Sequence, residues 1–117
     1  MTLVDTSVWI DHFRKGNPTL TQLLNESEVL THPFIIGELA CGNLKNRSEI
    51  LRLLNELPKA IVADNSEVMH FIERNRLYGI GIGWIDVHLI ASAMLSKATM
   101  LTLDKPFEKV ASRLNLA

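Results

Sequence analysis

Short, largely apolar runs alternate along this chain with stretches in which apolar residues recur every three or four positions. Three runs have the pattern of buried strands: Thr2–Asp5 ("TLVD"), Ala60–Asp64 ("AIVAD") and Ala98–Asp104 ("ATMLTLD"). A fourth, within "EVLTHP" (Glu28–Pro33), has room for two or three strand residues. The intervening stretches predict helices. Val8, Trp9, His12 and Phe13 share a face in "SVWIDHFRK". Asn17 and Pro18 supply an N-cap and first residue for a short helix through Leu20, Leu23 and Leu24, and Pro33 opens the next. "SEILRLLNEL" carries a leucine stripe with Ser48 as N-cap, and Pro58 stops it. "SEVMHFIERNRLYG" turns Val68, Met69, Phe71 and Ile72 inward and ends near Gly79. "WIDVHLIASAMLSK" is apolar almost all round, hence well covered, and "KPFEKVASRL" closes the chain.

Strands that are apolar throughout, alternating with helices, predict a parallel sheet covered on both faces. The expected fold is α/β, a three-layer α/β/α sandwich with a short central sheet. At 117 residues it is one domain over 1–117, without repeats or linkers. Apolar residues are 47% of the chain and charged ones 21%, which permits a packed core and argues against disorder. The net charge of −1 says nothing about a nucleic-acid partner, so such binding would need a local basic patch or a metal. A single cysteine, Cys41, excludes an intramolecular disulfide and a cysteine-based zinc site. No apolar run reaches the roughly 18–20 residues that span a bilayer. The N-terminus lacks the pattern of a signal peptide, so a cytoplasmic location is expected.

The acids change the picture. Asp5 and Asp104 fall at the carboxyl ends of the first and last strands, the edge where open parallel sheets bind ligands. Asp86 lies two residues from His88 and about 200° from it around the helix, at ~100° per residue. It is therefore off the polar stripe of His88, Ser92 and Ser96 and faces the core. Glu38, in "PFIIGELACG", has Phe34, Ile35, Cys41 and Gly42 as helical neighbours, none of them polar. Each acid has a structural reading: Asp5 and Asp104 as helix caps, Asp86 as a charge complementing a helix dipole, Glu38 as half of a buried ion pair. Taken together, acids pointing to one edge argue for a site. Burying and crowding carboxylates is unfavourable, and a divalent cation offsets both effects. Oxygen-only ligands suit Mg²⁺ or Mn²⁺ and phosphate chemistry.

Four segments, "LVDTSVWID", "ELACG", "IDVHLIASA" and "TLDKPFEKVA", resemble in order and spacing the signature segments of PIN domains. More narrowly they resemble the VapC-type toxin ribonucleases of bacterial toxin–antitoxin pairs. The resemblance implies that Asp5, Glu38, Asp86 and Asp104 form an acidic quartet holding Mg²⁺ or Mn²⁺. Thr102 would be a supporting hydroxyl and Ser7 an assistant to it. It also implies cleavage of single-stranded or looped RNA by metal-activated water, silencing by a cognate antitoxin, and a homodimer. Arg14, Lys15, Lys45, Arg47 and Lys105 are candidate phosphate contacts.

Other readings compete. The glycines of "GIGIGW" lack the spacing of a phosphate loop. A receiver-type signalling domain would want an adjacent acid pair after the first strand, and a dehalogenase-type phosphatase would want an acid at position 7, which is Ser. A non-catalytic binding module could use "SVWIDHF" or "SEILRLLNEL" as an apolar groove. The four histidines read as surface or capping residues, and Cys41 as a small buried thiol.

Overall fold

The strand β1 (Thr2–Val4) runs through the middle of a three-stranded parallel sheet of order β2-β1-β3, with β2 at Val29–Leu30 and β3 at Thr99–Leu101. The computed structural model describes residues 1–117. Seven helices surround the sheet: α1 (Thr6–Lys15), α2 (Pro18–Asn25), α3 (Pro33–Ala40), α4 (Arg47–Glu56), α5 (Asn65–Asn75), α6 (Trp84–Leu95) and α7 (Lys105–Arg113). Leu3 and Val4 are fully buried, as expected of a central strand covered on both faces. The α/β sandwich expected from the apolar runs is therefore present.

Local chemistry sets the helix starts. Asn17 Oδ1 accepts the Leu20 N–H at 3.0 Å, with Pro18 in the first turn of α2. Asp64 and Glu67 close a reciprocal capping box at α5. That helix stops at Arg76, in left-handed conformation, short of the expected end near Gly79. Helix α4 begins after Asn46 rather than Ser48. Met69, expected inward, is exposed, because the covered face of α5 is that of Val68.

The expected strand at Ala60–Asp64 does not form. Only Lys59 bridges to Thr31; the Thr31 N–H donates to the Pro58 carbonyl at 2.8 Å and the Ala60 N–H to the Thr31 carbonyl at 2.8 Å. The ladder stops because its partner strand gives way to α3 at Pro33. The Ile61 N–H is taken instead by Ser96 Oγ at 2.8 Å, and Ile61 and Val62 stay exposed.

The histidines also depart from expectation. His32 and His88 are buried, and the His88–Ser92 stripe of α6 faces inward. His32 does cap α3: its Nδ1 accepts the Phe34 N–H at 3.0 Å, while Nε2 meets Ser92 Oγ at 3.1 Å. Phe34 lies against both imidazoles, at 5.1 Å from His32 and 4.9 Å from His88. Neither ring nitrogen of His88 has a hydrogen-bond partner, and burial holds its pKa below the ordinary value. Cys41 is exposed, not buried, because it lies just past the end of α3.

Candidate active site

Asp5 is the anchor of the site. It follows β1 directly, and its N–H continues the sheet by donating to the Leu101 carbonyl at 2.9 Å. It occupies the N-cap position of α1, yet its carboxylate makes no capping bond. Instead Oδ2 accepts two hydroxyls, Ser7 Oγ and Thr102 Oγ1, each at 2.8 Å. Those hydroxyls in turn accept N–H bonds from the segment after β3: Ser7 from Leu103 and Thr102 from Asp104, both at 3.0 Å. Asp5, 7% exposed, is thus fixed by a network that ties the ends of β1 and β3 together.

Asp104 caps α7, its Oδ1 accepting the Phe107 N–H at 3.1 Å. Phe107 is fully buried, so the same turn that presents the acid is pinned into the core. The capping reading is correct for Asp104, and it commits only one carboxylate oxygen. Asp86, in the first turn of α6, accepts the Gly83 N–H at 3.3 Å and is half-buried. Its carboxyl titrates above the ordinary range. Burial is the main cause, and the charges of Asp5, Asp104 and Glu38 push it the same way against the opposing Gly83 hydrogen bond. The four acids therefore share one electrostatic neighbourhood, although they come from four separate segments.

Glu38 corrects the sequence reading. It is exposed rather than core-facing, and its Oε1 accepts Thr6 Oγ1 at 2.9 Å. The non-polar neighbours that made it look buried divide between Ile35, which is buried, Phe34, which is half-buried, and Cys41 and Gly42, which are exposed. Thr6 was missed by the sequence reading; its only signal was its place beside Asp5 at the start of α1. Glu38→Gln should accordingly change the stability of the metal-free protein by less than about 0.5 kcal/mol, as for other exposed substitutions. Chemical denaturation in EDTA measures it, and a loss well beyond that would show Glu38 holding the fold together.

None of the four acids meets a lysine or arginine. The ion pairs of the molecule lie elsewhere: Met1–Glu28, Lys15–Asp11 and Arg52 with Glu49 and Glu56. Four oxygen donors without a protein counter-charge suit a hard divalent cation. As placed, no three acid, histidine or cysteine side chains close on a single ion position.

Comparison with known proteins gives the family. The PIN domain family matches residues 2–113. Ribonuclease VapC32 of Mycobacterium tuberculosis (strain CDC 1551 / Oshkosh) is 42% identical over 106 residues, covering 90% of this chain and 86% of that protein. Ribonuclease VapC32 of strain ATCC 25618 / H37Rv matches with the same identity and coverage. The chain belongs to the PIN domain family, and its relatives there are of the VapC type.

Proposed function

We propose that this protein is a Mg²⁺- or Mn²⁺-dependent endoribonuclease and the toxin of a type II toxin–antitoxin pair. The observation that carries the reading is a quartet of acids gathered at the carboxyl edge of the sheet, none of them ion-paired with a lysine or arginine. Its relatives' name, ribonuclease, gives the reaction class.

Asp5, Glu38, Asp86 and Asp104 would hold the cation. When bound, a divalent ion supplies an acidified water and neutralises charge developing at a phosphoryl group. The chain's own part is orientation. Ser7 and Thr102 fix one oxygen of Asp5, and the α7 cap fixes one oxygen of Asp104, so each presents its other oxygen in a set direction. Asp86 carries the unfavourable electrostatics of the quartet.

The reading extends to partners. A cognate antitoxin would cover the site, and a second copy of the chain would complete a homodimer. Tyr78, Ile80 and Trp84 leave large apolar surface exposed just before and within the helix that carries Asp86, which supports a protein contact there. No helix is long and apolar enough to cross a membrane.

The test is cleavage of mixed single-stranded RNA by the purified protein. Products are expected in Mg²⁺ or Mn²⁺ and none in EDTA. Full activity in EDTA would overturn metal dependence. Intact RNA with either metal would favour a non-catalytic binding module.

A further inference from the structure

Glu38 stands at the margin of a larger hollow. A groove of about 730 Å³ extends from it between α1 and the loop joining α3 to α4. Ile10, Phe13 and Leu44 are among its apolar walls, and Arg14 and Lys45 are its cations. Residues 10, 13 and 14 share one face of α1, so a single helix brings apolar surface and charge to the groove together. Phe13 is stacked on the buried Trp9, with ring centroids 5.7 Å apart and planes 30° apart, which holds its ring in place.

The structure separates cations that the sequence left equivalent. Lys15 is paired with Asp11 at 3.5 Å. Arg47 donates to the Ala40 carbonyl at 2.8 and 3.2 Å, closing the end of α3. Arg14 and Lys45 enter no ion pair and line the same groove as Glu38.

We infer that this groove is a nucleotide subsite for the strand entering the quartet. Arg14 and Lys45 hold the phosphate next to the one cleaved, and the base lies on the Phe13, Ile10 and Leu44 wall. The inference rests on the nuclease reading of the quartet. Four acids repel a polyanion, so the strand needs fixed positive charge close by. A held aromatic beside unpaired cations is how single strands are gripped without sequence-specific hydrogen bonds. A purely apolar partner helix would use the walls but leave Arg14 and Lys45 desolvated and unpaired.

The experiment uses the full chain in two assays: binding of a short single-stranded oligoribonucleotide in EDTA over a salt series, and cleavage kinetics in Mn²⁺. For the Arg14→Gln, Lys45→Gln double variant, the slope of log affinity against log salt should fall by about 1.4, from two phosphate contacts at ~0.7 each. Its KM should rise roughly ten-fold with kcat held. Phe13→Leu keeps apolar volume but removes the π-face, and should raise KM by about ten-fold without changing the salt slope. The charge variants alter exposed side chains, so they remain informative if Phe13→Leu folds poorly. An unchanged slope and KM in the double variant would overturn the subsite. So would unchanged RNA binding with lost retention of a copurifying antitoxin, which would make the groove a protein-docking site. Binding with the expected slope change by a parent that cleaves nothing would sink the nuclease reading and leave the groove standing.

Discussion

Asp86→Asn is expected to abolish metal-dependent RNA cleavage while leaving the protein folded. Changing only the outer partners of a metal site typically costs about 10–100-fold, and losing one of the quartet's carboxylates should exceed that, to on the order of a thousand-fold or more. The substitution is nearly isosteric, and an asparagine oxygen can still accept the Gly83 N–H that Asp86 accepts at 3.3 Å. What it removes is a charge. Asp86 is half-buried and repelled by Asp5, Asp104 and Glu38, and its carboxyl is already pushed toward the protonated form. The metal-free variant should therefore be as stable as the parent or more so.

A metal titration makes the prediction sharper. A ligand that binds only the folded state raises the melting temperature by mass action. Mn²⁺ should raise that of the parent clearly and that of Asp86→Asn little or not at all. The two proteins would then exchange rank, with the variant the more stable in EDTA and the parent in Mn²⁺. Loss of stability in EDTA would instead assign Asp86 a structural role. Retained cleavage would remove it from the reaction.

Asp5 and Asp104 were legible because a strand's end and its position in a parallel sheet are written in consecutive residues. Glu38 was not, because helical periodicity tells which residues share a face and not whether another element covers that face. The groove beside α1 leaves Glu38 open, and only the tertiary arrangement shows it. The opposite error occurred on α6. His88, on a polar stripe with Ser92, reads from sequence as a surface or capping residue, yet both face inward, with Ser92 meeting His32 and, one turn further on, Ser96 taking the Ile61 N–H. In both places a local rule met a packing decision made by residues far away in sequence. The strand expected at Ala60–Asp64 failed likewise: its apolar content was suitable, but the neighbouring strand had already become a helix.

That inward stripe leads to the second large effect, on stability as pH falls. His32 is fully buried, and its pKa is lowered to about 4 from 6.5, chiefly by burial and secondarily by His88. The geometry gives the same direction independently: Nδ1 is occupied in accepting the Phe34 N–H, so a proton added there would break the cap of α3. Above pH 6.5 the ring is neutral in both folded and unfolded chains, and this contribution to stability is fully present. Between 6.5 and about 4 the unfolded chain takes up a proton that the folded one refuses, so stability drops with falling pH and levels off below about 4. At about 1.4 kcal/mol per pKa unit, the loss is on the order of 3 kcal/mol. His32→Asn keeps an acceptor for the Phe34 N–H and removes the titration. Urea denaturation of both proteins at a series of pH values should show a slope for the parent in that window from which the variant's is smaller. Parallel curves would mean that His32 ionises alike in the two states. The helix held by this cap is the one that carries Glu38, so once the folded ring itself ionises, below about pH 4, the start of that helix is released.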